Sequence, residues 1–256
     1  MNNRFVLLSF DVEEFDMPLD YQFPISTDEQ LQVGFNGMEV VTPIIHQIPS
    51  TLFTTANYAT HYPTQIQALA KQHEIASHTY FHSHFEIEHL LQSKQKLEDI
   101  TGKEIFGLRM PRMKKVDMQA IKNAGYTFDS SIHPTWIPGK YNNLHLSRTY
   151  YYEESLLRIP ASVSPTFRLP LFWLAFKNYP YTFFKKLAIQ TLKKDSYLCL
   201  YFHPWEFVDI THLGVPAFTR KHCKEVLLIK LQQLIKDLQP HGDFTTMQDF
   251  IQIKKL

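Results

Sequence analysis

The sequence predicts an α/β fold in which short apolar strands alternate with helices of about ten residues, the pattern of repeated βα units and a parallel sheet. Two observations carry this expectation. Short apolar runs recur between helix-like stretches through the first half of the chain. Polar residues able to do chemistry (Asp11, His78, Arg109, Asp129 and His203) each stand at or just after the end of such a run. In a β/α barrel the carboxyl ends of the strands share one face, so residues remote in sequence converge there.

The elements follow in order. Residues Arg4 to Phe10 read as the first strand, ending at Asp11. A helix is expected over Met38 to Gln47, a strand over Ser50 to Thr55, a helix from about Thr64 to Gln72 and a strand over Glu74 to Ser77. Leu90 to Ile100 carries an apolar stripe and stops near Gly102. Ile105 to Leu108 is a strand leading into Arg109-Met110-Pro111, and Val116 to Ala124 a helix with Gly125 at its C′ position. Thr127-Phe128 leads to Asp129. Residues 160–190 break the rhythm: Pro160, Pro165, Pro170 and Pro180 punctuate an aromatic stretch, read as an insertion that covers the core. Its aromatics and adjacent lysines over 172–186 also make it a candidate for peripheral membrane contact. Tyr197 to Phe202 is a further apolar strand, and Thr219 to Leu238 is the clearest amphipathic helix.

With 256 residues the chain supports one large domain, and no linker or repeat divides it. A formal charge of +1 with scattered basic residues gives no reason to expect nucleic acid as a partner. The 20 Phe and 13 Tyr suit a carbohydrate-handling surface but equally a filled core, so they decide nothing alone. Two cysteines, Cys199 and Cys223, are no secreted-type disulfide framework. The run Phe5-Val6-Leu7-Leu8 is too short for a signal h-region, so a cytoplasmic protein is expected, with the inner membrane face as the alternative.

Three islands hold the chemistry: Ser9-Phe10-Asp11-Val12-Glu13, His78-Thr79-Tyr80-Phe81-His82 and Tyr201-Phe202-His203-Pro204-Trp205-Glu206. His78 and His82 stand four apart, a spacing that lets two imidazoles meet one cation. In a chain with 13 histidines that spacing alone carries little weight. Asp11, Glu13 and Glu14 supply carboxylates beside them: two imidazoles and a carboxylate form a common zinc set, and a second carboxylate can take a proton from water. The bland alternative is an acidic loop at a strand end. His203 is held between an apolar strand and Pro204-Trp205, or is simply a satisfied core histidine. Arg109 can orient a carboxylate bidentately, or lie at a surface turn.

Taken together these islands resemble the polysaccharide deacetylases, the NodB-homology family of carbohydrate esterases. The similarity rests on Ser9-Phe10-Asp11-Val12-Glu13, the His78/His82 pair, Arg109-Met110-Pro111, Asp129-Ser130-Ser131 and Tyr201 to Glu206, in the family's order. The resemblance implies a distorted (β/α)7-8 barrel of the NodB-homology, glycoside hydrolase/deacetylase type and an N-acetyl or N-acyl hydrolase acting on a sugar or glycan. It implies Asp11 as base, Glu13, His78 and His82 as ligands of a divalent metal (zinc first, then cobalt, nickel or manganese), and Arg109 holding the base. It further implies His203 as acid toward the leaving amine, with Asp129 tuning it. Arg112, Trp205 and Tyr80 are the expected substrate contacts. Two departures stand out. Val12 replaces the usual second aspartate, so metal binding rests on Glu13, with Glu14 as its rival. Arg112 replaces an aromatic residue, and its charge is expected to select an anionic sugar. The rival expectations are a metal-independent, allantoinase-like hydrolase of a small amide and a non-catalytic sugar-binding protein.

Overall fold

The computed structural model describes residues 3–256. In chain order its elements are β1 (Phe5–Val12), α1 (Met17–Asp20), α2 (Thr27–Ile45), β2 (Ser50–Thr54), α3 (Ala56–His61), α4 (Pro63–Leu69), β3 (Glu74–Ser77), α5 (His89–Thr101) and β4 (Gly107–Leu108). There follow α6 (Met118–Asn123), β5 (Phe128–Asp129), a small hairpin of β6 (Trp136–Ile137) and β7 (Tyr141–Asn142), β8 (Tyr151–Glu153) and β9 (Leu156–Arg158). The last part comprises α7 (Trp173–Asn178), α8 (Tyr181–Asp195), β10 (Tyr197–Phe202), α9 (Ala217–Arg220), α10 (Glu225–Leu238), β11 (Asp243–Phe244) and α11 (Met247–Lys254). Single 3₁₀ turns lie at Pro111–Met113 and Pro204–Phe207.

The main sheet runs β10-β1-β2-β3-β4-β5-β9-β8, every pairing parallel except the terminal β8–β9 hairpin. β11 pairs with the first residues of β1, leaving the rest of that edge to β2. The sheet curls, and the gap between β9 and β10 is bridged by irregular chain. Ile159 N–H donates to the Asp129 carbonyl and Ser162 N–H to the Cys199 carbonyl, while Ser162 Oγ accepts from Cys199 N–H. This is the distorted barrel that the sequence predicts.

Residue alternation along the strands sorts the core in two. Val6, Leu8, Phe10 and Val12 of β1 face the helices, in one cluster with Leu31, Met38 and Val41 of α2 and Leu198, Leu200 and Phe202 of β10. Phe5 and Leu7 face the other way, with Phe53, Phe128, Tyr197 and Cys199, and α11 adds Met247 and Phe250 to that cluster. Burial on both faces explains why these strands read as continuous apolar runs. Ser9 and Asp11 continue the inner row of Phe5 and Leu7, so it turns polar toward the carboxyl end of the strand.

Most expected elements appear with shifted ends; Glu74–Ser77 and Tyr197–Phe202 coincide with expectation. The helix expected over Met38 to Gln47 is the second half of α2, which starts at Thr27 with Ser26 Oγ capping Glu29 N–H. Gly34 and Gly37 hide its first half, and both glycines are needed for close approach. A methyl group at Gly34 would sit 2.3 Å from the Glu13 carbonyl oxygen, and one at Gly37 would sit 2.4 Å from the backbone of Pro204. The helix expected from Thr219 divides, because Lys224 adopts a left-handed φ of 65° and α10 begins only at Glu225.

The 160–190 stretch completes the core. Leu171, Ala175, Phe176, Phe184, Ala188 and Leu192 belong to the main core, and α7 and α8 form its helices. The aromatic mass over 172–186 therefore points largely inward: Phe176 and Phe184 are fully buried, and Phe183 is the exposed aromatic there. Cys199 and Cys223 are both buried and free. Among the described residues no helix is long and apolar enough to cross a membrane.

The contact between α2 and the Pro204–Phe207 turn yields a test. Gly37→Ala forces backbone apart in a packed interior, so it lowers unfolding stability by roughly 1–3 kcal/mol, read from the urea midpoint.

Candidate active site

Asp11, His78, Arg109 and His203 all lie at the carboxyl ends of parallel strands, on one face of the curled sheet. Arg109 is fully buried. Its Nη1 donates to Asp11 Oδ1 at 2.7 Å and to Ser9 Oγ at 2.9 Å, while Nε and Nη2 donate to the carbonyl and hydroxyl of Ser130. The Phe53 ring lies 4.0 Å from the guanidinium and Tyr201 5.1 Å. Asp11 is thereby held through one oxygen. Its other oxygen, Oδ2, lies 3.8 Å from His203 Nε2.

Beside this pair stand Glu13, His78 and His82. One ligand atom from each lies within 4.8 Å of the other two. Glu13 Oε2 is 3.0 Å from His78 Nε2 and 3.2 Å from His82 Nε2, yet this buried oxygen makes no hydrogen bond of acceptable geometry. Each imidazole uses its other nitrogen elsewhere: His78 Nδ1 donates to the Arg109 carbonyl at 2.7 Å, and His82 Nδ1 meets Asp16 Oδ1 at 2.6 Å. Donation through Nδ1 turns the Nε2 lone pairs toward the orphaned carboxylate oxygen. That arrangement fits a divalent cation, with the outer acceptors characteristic of histidine ligands. Without a cation, burial favours neutral forms at both Glu13 and His82, but their mutual attraction prevails. Glu13 is held well below the carboxylate range, and His82 is raised to about 9 by Glu13 and Asp16.

Glu14, the rival ligand, is committed elsewhere. Its two oxygens accept from Thr55 Oγ1 and from His82 N–H, so it shapes the ligand loop.

His203 packs against Trp205, with ring centroids 4.7 Å apart, and edge-on against Trp173 at 5.2 Å. Glu206 Oε1 accepts from His203 N–H at 2.8 Å and lies 3.2 Å from Nδ1. Burial lowers the His203 pKa, but Glu206, Glu13 and Asp11 outweigh it and the net shift is upward.

The structure gives four of the expected residues partners within the protein. Asp129 does not reach His203: Ser131 N–H and Oγ donate to it and Arg158 Nε lies 3.0 Å away, so it braces the strand-end loop. Glu206 stands beside the histidine instead. Arg112 pairs with Asp16 and Asp20 and donates to the His82 carbonyl, so its charge is met within the protein. Trp205 is buried, and its Nε1 donates to Glu13 Oε1 at 3.0 Å, which makes it a support for Glu13. The Tyr80 ring packs on Phe81 and His89 and lines an outer groove with Gln92, Gln95 and Lys96 of α5. Asp16 and Glu206 are the functional residues that sequence reasoning misses. Glu206 belongs to the third island, three residues past the histidine, whereas no spacing rule points to Asp16.

Comparison with known proteins bears on the fold and on one segment of the sequence. Residues 45–128 match the polysaccharide deacetylase family model, a segment that includes His78, His82 and Arg109. The sequence similarity to that family lies in this segment, and the fold is shared with solved structures over nearly the whole chain. Two bacterial structures provisionally described as polysaccharide deacetylases superpose on it. One, from Mycobacterium smegmatis, has a TM-score of 0.64 at 17% identity, covering 100% of this chain and 92% of its own. The other, from Pseudomonas aeruginosa PAO1, has a TM-score of 0.67 at 15% identity, with 97% and 89% covered. The Puue allantoinase structure is similar in fold as well, with a TM-score of 0.65 at 16% identity and the same coverage. No curated protein sequence matches this chain.

Two tests follow from this donor geometry. Asp16→Asn weakens divalent-cation affinity by roughly 10- to 100-fold, measured by competition with a chromophoric chelator. A cation at His82 Nε2 displaces a proton held up to about pH 9. Affinity therefore rises with pH below that point, by up to about tenfold per unit, and calorimetry in buffers of different ionisation enthalpy shows proton release.

Proposed function

We propose that this protein is a metal-dependent hydrolase that removes an N-acetyl group from a sugar. The observation that carries the reading is the convergence of an arginine-anchored aspartate, a carboxylate-braced histidine and a Glu-His-His donor set on one strand-end face. Family and fold support the reaction class.

A divalent cation held by Glu13, His78 and His82, zinc by donor type, would polarise the acyl carbonyl and acidify a water molecule. Asp11 is the base. Arg109 fixes its Oδ1, and its Oδ2 faces the reacting space, ready to take the proton of the attacking water. His203 is the acid. Glu206 engages its Nδ1, so Nε2 is the atom that protonates the departing nitrogen as the C–N bond breaks. Without that proton the leaving group would be an amide anion, which is too poor to expel. Trp173 and Trp205 keep the His203 ring from turning. The products are acetate and a free amino sugar.

The orphaned Glu13 oxygen between two imidazoles weighs against the metal-independent alternative. The retained acid and base weigh against a purely sugar-binding role. The substrate in this proposal is an intracellular or lipid-linked glycan precursor, and cell fractionation tests the location.

Activity on a panel of N-acetylated sugars with Zn²⁺ or Co²⁺ tests the assignment. Asp11→Asn and His203→Ala each lower kcat by roughly 10²- to 10⁴-fold with the cation still bound. His82→Ala and chelation abolish turnover through loss of the cation. Full activity in Asp11→Asn removes the base assignment, and activity that survives chelation removes the metal.

A further inference from the structure

We propose that Lys177 is a positioning residue for the leaving-group acid, holding Glu206 in place as the anion that orients His203. The proposal rests on the acid role given to His203 above. Lys177 lies on α7, within the aromatic stretch over 172–186, and is only 2% exposed. Lysines are almost never buried so deeply without a partner. Its Nζ donates to the Thr219 carbonyl at 2.7 Å and lies 3.4 Å from Glu206 Oε2, its one carboxylate contact among the described residues. The Trp173 and Trp205 rings, which also enclose His203, lie 5.6 and 5.9 Å from it.

Glu206 is 0% exposed, so its charge depends entirely on its neighbours. Oε1 serves the backbone and ring of His203, whereas Oε2 has no hydrogen bond of its own and only the Lys177 ammonium against it. A buried carboxylate deprived of its counter-ion takes up a proton or swings away. Either change removes the acceptor at His203 Nδ1. The ring is then free to adopt the tautomer with its proton on Nε2, or to rotate, and the imidazolium that must donate from Nε2 loses its support. Lys177 touches no reacting atom and acts through Glu206.

The test uses the zinc-loaded full chain labelled with ¹⁵N-histidine, with the His203 signals assigned by His203→Gln. Wild type shows the Nδ1–H form of the neutral ring. Lys177→Met shifts that population toward Nε2–H. It lowers kcat by roughly 10- to 100-fold, part of what a positioned acid supplies, with KM within about twofold and zinc content unchanged. Lys177→Arg restores most of the loss. Glu206→Gln, which preserves volume, repeats the spectroscopic change and serves as the deciding variant should Lys177→Met fail to fold. An unaltered His203 tautomer in either folded variant overturns the proposal, as does wild-type kcat in Lys177→Met. Should the wild-type chain deacetylate no sugar in the panel, the functional reading fails. The substrate-free spectra still decide whether Lys177 sets the histidine.

Discussion

The buried ion pair between Arg109 and Asp11 is the constraint on which the rest of the site depends. A guanidinium with no exposure cannot be tolerated unless its charge and donors are met, and removing one partner of such a pair costs roughly 3–5 kcal/mol. Here the requirement is satisfied by Asp11, by Ser9 on the same inner row of β1, and by Ser130 at the end of β5. Two aromatic rings fill the remaining faces. The same residue reaches the Glu-His-His donor set through its backbone, since its carbonyl accepts from His78 Nδ1. One side chain thus fixes Asp11, the proposed base, and its own main chain fixes a histidine of the donor set.

That dependence explains where Asp129 stands. Ser131 Oγ, held by Asp129, accepts from Met110 N–H, next in chain to Arg109. Asp129 stabilises the loop that presses against the arginine strand, with Arg158 meeting its charge. Asp129 is taken up by Ser131 and Arg158 instead of His203, a pairing that no motif in the sequence discloses.

The legible part of the fold is what strand periodicity governs. Doubly buried strands give unbroken apolar runs, and the polar residue that ends each run marks the face of the site; hence Asp11, His78, Arg109 and His203 are recognisable in the sequence. What stays hidden depends on close packing or on turn geometry. The first half of α2 carries two glycines that weaken a helical pattern, and only the approach of Glu13 and Pro204 gives them a reason. The helix α8 is masked by its aromatics and by Pro180 before it. Glu206 is useful because a 3₁₀ turn folds it back on His203, and Asp16 because a loop brings it to His82. Arg112 is legible only in part: its charge is plain in the sequence, but the two aspartates that meet it come from the loop and short helix after β1.

The indole of Trp205 joins the two halves of this chemistry. Its Nε1 holds Glu13 Oε1, leaving Oε2 for the histidine pair, while its ring is stacked on His203. A shift of the carboxylate toward or away from a cation must be accommodated by that hydrogen bond, and movement of the indole is felt by the imidazole lying on it. The turn carrying Trp205 is in turn seated on α2 at Gly37, with no room for even a methyl group. Packing this dense has few intermediate positions, so His203 and the donor set rest on one shared support. That support is built on a helix that supplies none of Asp11, Glu13, His78, His82 or His203, which is why a glycine pair outside these residues belongs to the design of the site.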